Sequence, residues 1–305
     1  MSGILILEQT LNGLQFGLML FMLAAGLTLV FGIMDMINLA HGSLYMIGAF
    51  LAAWLAQATG SFAAGVLLAI PATALVGMLL EVSVLRTLYE RDHLSQVLAT
   101  FALILILNEL VRIVFGTDMP LSPPAALAGP VELLPGMPYP AYRLLIIAVG
   151  LAVAALLYFL VAKTRIGMLV RAGASNREMA LAMGVNIRHL FTAVFGFGAA
   201  LCAVAGALLA PLLAVQVGMG ESILILAFVV IVIGGIGSIR GALVGSLLVG
   251  MVDTIGRAFM PIAFGWFLPP QFASAAGPAI ASVAVYLLMA VVLFFKPQGL
   301  FPARG

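Results

Sequence analysis

The sequence predicts an all-α, polytopic membrane protein, a bundle of about eight to nine transmembrane helices, some of them short or broken. Of its 305 residues, 64% are hydrophobic and only 8% are charged. A soluble domain carries roughly 25% charged residues and could not cover its surface with so few. Apolar runs near the roughly 20 residues that cross a bilayer recur along the chain. They lack the alternating polarity of a transmembrane barrel.

Nine helical segments are predicted within one transmembrane domain over residues 1–305. They are 9–33, 40–57, 62–86, 95–115, 143–163, 189–215, 222–237, 241–260 and 278–295. The second, seventh and eighth segments are short and rich in glycine, and one or two of them are candidates for half-helices that do not fully cross.

Basic residues, which accumulate in cytoplasmic loops, predict the orientation. Arg86 and Arg91 follow the third segment, and five more basic residues lie in and beside the loop 164–189. These five are Lys163, Arg165, Arg171, Arg177 and Arg188. The 117–142 connection holds seven prolines and no Lys or Arg, so it is predicted to be an extended, non-helical external loop. The tail, with Lys296 and Arg304, returns to the cytoplasm, which places the N-terminus outside after an odd number of crossings.

The stretch "FGIMDMINLAHGSLYMIG" (31–48) concentrates polar residues between apolar runs. A polar or charged side chain at membrane depth costs roughly 2.5–3.5 kcal/mol and usually faces protein or a water-filled cavity. We predict a helix broken near 34–40, whose backbone is satisfied by Asp35, Asn38 or the surrounding bundle. Asn38, His41, Gly42 and Tyr45 are the candidates to line a translocation path. The alternative is a short turn at the cytoplasmic surface that never meets a substrate.

A second stretch, "VIGGIGSIRGALVGSLLVG" (232–250), resembles residues 31–49. Both have a cluster of glycines, then a kink with polar residues, then small residues that lead back into a helix. Transporters often consist of two such repeats with interrupted helices at matching positions. Chance similarity of two glycine-rich hairpins is the alternative.

The basic loop contains a short helix with its own start and stop signals. Ser175 and Glu178 have the S-x-x-E spacing of a capping box, and Gly184 stands where a left-handed C-terminal residue is usual. The prediction is a two-turn helix over 176–183, with Met179 and Met183 on one face. Flexible thioethers suit a surface that docks into another protein. The alternative is an amphipathic helix that lies on the lipid headgroups.

Within this helix, Glu178, Met179, Ala180 and Gly184 are similar to the E-A-A-x3-G signature of ABC importer permeases, although Met179 departs from the alanine of that signature. The stretch at 32–49 resembles the N-terminal signature of the branched-chain amino acid permeases of the LivH type. Residues 195–211 and 234–250 also resemble their counterparts there, and the likeness covers about 8–300.

This resemblance implies a permease subunit of an ABC importer in the bacterial inner membrane, for branched-chain or related hydrophobic amino acids. It implies that Ser175, Glu178, Met179, Ala180, Met183 and Gly184 form the helix that couples to an ATPase. The implied partners are a second homologous permease, two cytoplasmic ATPases, a periplasmic solute-binding protein and the lipid bilayer, with no nucleic acid. Related families carry urea, short amides or aromatic acids, so the exact substrate stays open.

No enzyme site is expected in this chain. The sequence contains no G-x-x-x-x-G-K-[ST] loop, so ATP must be bound by partner subunits, and no cofactor or metal site is expected. The rival class is an ion-coupled secondary transporter, for which Asp35 or Asp253 would be the essential carboxylate. Among the remaining charges, pairs between Glu109 and Arg112 and between Asp253 and Arg257 are expected. Glu81 and Arg86 are expected to be too far apart to pair within one helical turn.

Overall fold

The computed structural model of the chain describes residues 3–267 and 269–301, without the side chains of Arg177 and Pro270. This part of the chain is mainly helical. Its α-helices are α1 Gly3–Met34, α2 His41–Thr59, α3 Phe62–Ser83, α4 His93–Phe115, α5 Ala141–Lys163, α6 Arg165–Ser175, α7 Arg177–Ala182, α8 Ile187–Leu209, α9 Met219–Gly234, α10 Ile239–Phe264 and α11 Pro270–Phe295. Its strands are β1 Asp118–Met119, β2 Pro130–Leu134, β3 Met137–Pro140 and β4 Val215–Gln216.

Eight of the described helices are long and apolar enough to cross a membrane: α1 to α5, α8, α10 and α11. Helix α9 is apolar as well, but its 16 residues rise only about 24 Å, less than the roughly 30 Å of a bilayer core. The predicted fold class and the count of eight to nine helices are confirmed. Of the three segments predicted to be short, only the seventh, α9, is too short to cross, since α2 and α10 are long enough.

The chain divides into two compact units. Unit 1 consists of Met1–Phe21, Ala125–Ala152 and Leu226–Gly305. Unit 2 consists of Met22–Pro124 and Val153–Ile225. A single transmembrane domain over 1–305 stays a prediction.

In unit 2, helices α2, α3 and α8 pack on one another. Small residues let them approach closely. A Cβ atom added to Gly48 of α2 would lie 2.5 Å from Ala203 Cα of α8, and one added to Gly77 of α3 would lie 2.5 Å from Ala199 Cβ. Such close small-residue contacts are typical of helix packing inside membranes, where dispersion contacts drive association.

One end of unit 2 gathers the ends of α2 and α4 with the start of the 117–142 loop. Strand β1 pairs antiparallel with β4. Gln57 Nε2 donates to the Pro120 carbonyl oxygen at 3.1 Å, and Asn108 Nδ2 donates to Glu221 Oε1 at 2.7 Å. The start of the proline-rich loop is therefore held against these helix ends.

The other end of α4 is fixed by a capping residue. Asp92 accepts from the Ser95 amide at 3.1 Å and from the Ser95 hydroxyl at 2.7 Å. These hydrogen bonds lower the pKa of the Asp92 carboxyl, since they favour its charged form. The cap satisfies an amide of the first helical turn that has no partner within the helix.

In unit 1, helices α10 and α11 pack on each other, and α10 also meets the first part of α1. A Cβ atom on Gly256 would lie 2.9 Å from Ala281 Cβ, and one on Gly250 would lie 2.5 Å from the Gly17 amide nitrogen. The α1–α10 contact is thus backbone against backbone.

Strands β2 and β3 form an antiparallel hairpin in unit 1. Gly136 takes the turn with φ of +81°, a region that glycine enters without steric cost. Tyr139 on β3 donates from its hydroxyl to Asn12 Oδ1 of α1 at 3.0 Å. The hairpin is therefore anchored to the first turns of α1, and burial raises the pKa of the Tyr139 phenol.

Several predicted boundaries are wrong. The third helix ends at Ser83 rather than 86, because residues 85–88 form a 3₁₀ turn. The sixth ends at Leu209 rather than 215, where the chain turns into β4. The last helix begins at Pro270 rather than 278, with Pro278 inside it; helices in membranes tolerate proline because neighbouring groups satisfy the freed backbone.

Residues 117–140 of the predicted 117–142 connection are non-helical apart from a 3₁₀ turn at 125–127, as predicted, whereas α5 already begins at Ala141. The connection contains β1 and the β2–β3 hairpin, which the proline content did not predict. The tail residue Arg304, used to orient the chain, lies outside the described residues.

Candidate functional site

The predicted helix break is present in unit 2. Helix α1 ends at Met34 and α2 begins at His41, so the break covers 35–40. Asp35 sits at φ of +51°, a left-handed conformation that Asp tolerates better than most residues. Its side chain is exposed.

Two amide side chains accept hydrogen bonds from backbone amides of the break. Asn38 Oδ1 accepts from the Ala40 amide at 3.0 Å. Gln96 Oε1 of α4 accepts from the Ile37 amide at 3.3 Å. Asn38 thus bonds to the backbone of the break, as predicted. Gln96 is the bonding residue from the surrounding helices, and sequence spacing alone could not identify it.

The three polar side chains predicted to line a path are all buried. Asn38 and His41 are 0% exposed and Tyr45 is 1% exposed. His41 Nε2 lies 3.1 Å from Cys202 Sγ of α8. Asn38 Nδ2 lacks a hydrogen-bond partner within the described part of the chain. Asn38 precedes the first turn of α2, which begins at His41.

Gly42 allows a close backbone contact at the start of α2. A Cβ atom there would lie 2.5 Å from the Gly220 carbonyl oxygen of α9 and 3.0 Å from Leu224 Cβ. Any side chain at this position would push α9 away from α2.

A similar break lies in the second glycine-rich stretch, within unit 1. Helix α9 ends at Gly234 and α10 begins at Ile239. Ser238 caps α10 by accepting from the Gly241 amide at 3.1 Å. A Cβ atom on Gly234 would lie 2.3 Å from the Gly241 carbonyl carbon. Both stretches are helix–break–helix units with a close glycine contact, and the internal repeat stays a hypothesis.

The basic loop folds as two short helices, α6 and α7, of which α6 was not predicted. Thr164 caps α6 by accepting from the Gly167 amide at 3.2 Å. Gly167 lies directly against the end of α5, because a Cβ atom on it would be 2.1 Å from the Val161 carbonyl oxygen. Helix α6 is thereby tied to the membrane helix that precedes it.

The predicted capping box is wrong. Ser175 is the last residue of α6. Its backbone amide lies inside that helix, so it cannot donate to the Glu178 carboxylate as a capping box requires. Asn176 is the cap of α7 instead, and its Oδ1 accepts from the Met179 amide at 2.9 Å. Asn caps as well as Ser does, so the S-x-x-E pattern was one residue out of register. Glu178 remains in the first turn of α7 and is exposed.

The predicted stop at Gly184 is confirmed. Its φ is +84°, its amide donates to Leu181 O at 2.9 Å, and the Val185 amide donates to Ala180 O at 3.0 Å. This pair of bonds is the Schellman motif. Helix α7 therefore has both of its ends fixed by local hydrogen bonds.

Helix α7 buries one side and exposes the other. Ala180 is 3% exposed, whereas Met179 is 59% and Met183 is 79% exposed. Leu181 is also exposed. The geometry thus presents a small apolar surface that the described residues leave open.

A buried carboxylate cluster near this loop was missed by sequence reasoning. Glu81 of α3 is 0% exposed and accepts from Arg86 Nε at 3.2 Å and Arg86 Nη2 at 3.0 Å. Tyr89 donates to Glu81 Oε1 at 2.8 Å, and Thr192 of α8 donates to Glu81 Oε2 at 2.7 Å. The expectation that Glu81 and Arg86 cannot pair is wrong, because α3 ends between them and the chain folds back. The bonds to Glu81 raise the pKa of Arg86.

The other two expected ion pairs are present. Arg112 Nη1 lies 3.0 Å from Glu109 Oε2, with both side chains exposed. Arg257 Nε lies 2.8 Å from Asp253 Oδ2, with Asp253 buried.

Fold and site together define a multi-pass helical membrane protein that has a buried polar break in its helices and a helical loop between two of its spans.

Comparison with known proteins gives the family. A family model described as "Branched-chain amino acid transport system / permease component" matches residues 9–295. The high-affinity branched-chain amino acid transport system permease protein BraD of Pseudomonas aeruginosa is 30% identical, over 96% of this chain and 95% of that protein. The corresponding permease protein LivH of Escherichia coli K12 is 28% identical, over 96% and 94%. A probable branched-chain amino acid transport permease protein LivH of Methanocaldococcus jannaschii is 27% identical, over 81% and 80%.

No solved structure matches the chain significantly. The family match nevertheless covers nearly the whole chain, so the chain belongs to the branched-chain amino acid transport permease family. The resemblance found in its motifs is confirmed, and the family is one of transport permeases.

Proposed function

We propose that the chain is the permease subunit of an ATP-driven ABC importer, which moves branched-chain or related hydrophobic amino acids across the bacterial inner membrane into the cytoplasm. The observation that supports this most is helix α7. Its ends are fixed by Asn176 and Gly184, and it exposes Met179 and Met183. A preformed helix loses little conformational entropy on docking, and methionine adapts to a partner's groove.

The energy source in this proposal is a separate pair of ATPase subunits. The sequence contains no P-loop, so ATP binds to those partners and this chain holds no cofactor of its own. Helix α7, with Glu178, Met179, Ala180, Met183 and Gly184, is the coupling helix that seats in an ATPase. Ser175 supports it only as the end of α6.

The translocation path in this proposal runs past the break at 35–40. Asn38, His41 and Tyr45 are buried polar groups in and directly after the break. Gly42 sets the spacing between α2 and α9. A second homologous permease completes the membrane part, and an external solute-binding protein delivers the substrate and selects it. Urea, short amides and aromatic acids are the alternative substrates.

An ion-coupled transporter is the rival in another class, and it needs an essential buried carboxylate. Asp35 is exposed, and Asp253 is paired with Arg257 at 2.8 Å. Neither carboxylate is buried and free of a counter-charge, so the structure favours the importer.

Affinity purification separates the two classes. The chain carries an affinity tag, is extracted from its native membranes in mild detergent, and the proteins bound to it are identified. An importer permease brings down an ATPase that contains a P-loop, together with a second permease. Purification of the chain alone, with substrate uptake driven by a proton or sodium gradient in liposomes, would refute the proposal.

A further inference from the structure

Unit 1 contains a polar cavity that the proposed coupling helix and helix break do not use. Its volume is about 430 Å³, within the range of roughly 300–1,000 Å³ of small-molecule sites. It is lined by Gln9, Asn12, Gln15, Phe16, Arg143, Asp253, Thr254, Arg257 and Ala258.

The lining residues lie at one end of three helices. They come from the first turns of α1, the start of α5 directly after the proline-rich loop, and the last turns of α10. The 117–142 loop is predicted to be external, so the cavity opens near the outer side. Asp253 lies eleven residues before the end of α10 at Phe264, which is about 16 Å along the helix axis. The open cavity therefore extends along α10 for about three turns from its end.

The chemistry of the lining is unusual for this chain, in which only 8% of residues are charged. Two guanidinium groups, one carboxylate, three amides and one hydroxyl surround a single cavity. Ionisable groups at membrane depth are costly and mark solute or ion pathways by default.

The first guanidinium is held by one amide and one phenol rather than by a carboxylate. Arg143 Nη1 donates to Asn12 Oδ1, Arg143 also hydrogen-bonds to the Tyr139 hydroxyl, and Asn12 Nδ2 donates to Gln9 Oε1 at 3.3 Å. A guanidinium carries five N–H donors, more than these two contacts use. Asp253 is the sole acidic residue in the lining, and it pairs with Arg257. Arg143 is therefore suited to bind an anionic group of a ligand.

The second guanidinium is fixed on both sides. Arg257 Nε donates to Asp253 Oδ2 at 2.8 Å, and Arg257 Nη2 donates to Ser282 Oγ of α11 at 2.9 Å. Asp253 keeps oxygen acceptor capacity that a ligand ammonium can use, because a carboxylate has about four lone-pair sites. Phe16 and Ala258 supply apolar wall beside these charges.

We propose that this cavity is an outer solute site, which binds the carboxylate of an amino acid at Arg143 and its ammonium group at Asp253, with the apolar side chain against Phe16. The assignment rests on the proposed importer function and adds a substrate site within this chain. The same anion-plus-ammonium chemistry occurs in the headgroup of phosphatidylethanolamine, which is the competing source of a ligand.

A cysteine protection experiment tests the site without requiring ATP-driven transport. Cys202 is buried and is replaced by alanine, and Thr254→Cys then places a single thiol in the cavity. Right-side-out membrane vesicles that contain the full-length chain are treated with a charged methanethiosulfonate reagent. We expect L-leucine to slow the labelling at Thr254→Cys and to leave labelling at Ser122→Cys, on the external loop, unchanged.

Fragments of leucine test the zwitterion. Isovalerate carries only the carboxylate, and isoamylamine carries only the ammonium group. Each should protect only at concentrations roughly tenfold higher than leucine, because each loses one charge-assisted contact. Equal protection by isovalerate, or no protection by leucine, would overturn the site. Protection by short-chain phosphatidylethanolamine but not by leucine would assign the cavity to a lipid and also overturn it.

Substitutions then identify the residue that binds the anion. Arg143→Gln should raise the leucine concentration for half protection roughly tenfold or more, and Arg143→Lys should recover part of the loss. Arg112→Gln is the matched control, since Arg112 is also paired near a helix end but lies outside the cavity. Unchanged protection by leucine in Arg143→Gln would refute this site. Co-purification of the ATPases with the same variant would leave the importer proposal standing, so the two failures can be told apart.

Discussion

The carboxylate of Glu81 joins three segments of unit 2. Arg86 and Tyr89 come from the turn after α3, and Thr192 comes from α8, just beyond the α6–α7 loop. A buried carboxylate is tolerated only when it is paired and hydrogen-bonded. The cluster therefore fixes the start of α8 relative to the end of α3, on the side where α7 would receive a partner.

Arg86→Gln should destabilise the chain, because it leaves Glu81 buried without its counter-charge. Removing one partner of a fully buried pair costs 3–5 kcal/mol. Arg86 is about one-third exposed, so we expect a smaller loss of about 2 kcal/mol. Thermal unfolding in detergent measures it. Arg112→Gln is the control, since it breaks a pair whose two side chains are both exposed and should cost less than about 1 kcal/mol. Equal losses in the two variants would show that the Glu81 cluster is not structural.

The buried polar groups at the break give a second prediction at this scale. Asn38→Leu and His41→Leu should abolish most uptake without loss of partner subunits, because leucine fits an apolar interior but cannot hydrogen-bond a passing solute. Uptake of radiolabelled leucine in vesicles measures this. Thr59→Val is the control at the far end of α2, because the exposed Thr59 hydroxyl donates to the nearby Leu55 and Ser61 carbonyl oxygens. Normal uptake in both leucine variants would make the break purely structural.

Residue-level expectations were correct where only local spacing mattered. The Glu109–Arg112 and Asp253–Arg257 pairs follow from spacings of three and four residues on a continuous helix. The Glu81–Arg86 pair was not predicted because the third helix was expected to continue to residue 86, whereas α3 ends at Ser83. Gln96 and Cys202, which contact the break from distant positions, have no local signal at all.

At the scale of elements, α7 carries the functional proposal. Its stop at Gly184 was predicted because a left-handed residue after good helix formers is a strong local signal. Its start was displaced by one residue, because Ser175 and Asn176 are both good capping residues. The choice between them depended on α6, which ends at Ser175 and whose amphipathic pattern was not recognised.

Capping substitutions separate the two assignments. Asn176→Ala should lower the stability of α7 by about 0.5–2 kcal/mol and reduce ATPase binding modestly. Ser175→Ala should leave binding unchanged, since Ser175 does not cap α7. Affinity of the purified permease for its ATPase subunits measures both. A larger loss of ATPase binding in Ser175→Ala than in Asn176→Ala would support the Ser175–Glu178 capping box instead.

The docking surface itself gives a sharper prediction. Met179→Asp combined with Met183→Asp should insert normally but lose the ATPases, because it places two charges in an apolar contact. Gly184→Val should have the same result, since a β-branched residue strongly disfavours the positive φ found there. Met168→Asp on α6, also at an exposed methionine, is the control. Co-purification of the ATPases with the double variant would move the coupling role elsewhere.

At the scale of the whole molecule, the ends of the helices agree with the predicted orientation in each unit. In unit 1, the Tyr139–Asn12 bond brings the proline-rich loop and the start of α1 to one end. In unit 2, the break, the 85–92 turn and the start of α8 lie at one end, through the bonds of Gln96 and Thr192. An external N-terminus follows if the proline-rich loop is external.

Single cysteines in a Cys202→Ala background test this topology. Ser122→Cys on the 117–142 loop and Trp266→Cys between α10 and α11 are both at exposed positions. Both should react with an impermeant maleimide added to intact cells. Lys296→Cys, just after α11, should react only in inverted vesicles. The opposite labelling pattern would show that the whole chain has the opposite orientation in the membrane.

The central claim is that this chain forms an amino acid path whose transport is driven by ATP through α7. The most direct measurement is uptake of radiolabelled leucine by liposomes that contain the chain, the second permease and the ATPases, with ATP and the loaded binding protein supplied on their proper sides. We predict leucine accumulation that requires ATP hydrolysis and is absent with the Met179→Asp, Met183→Asp variant. Accumulation by the chain alone under an ion gradient, or undiminished ATP-driven uptake by that variant, would contradict the account.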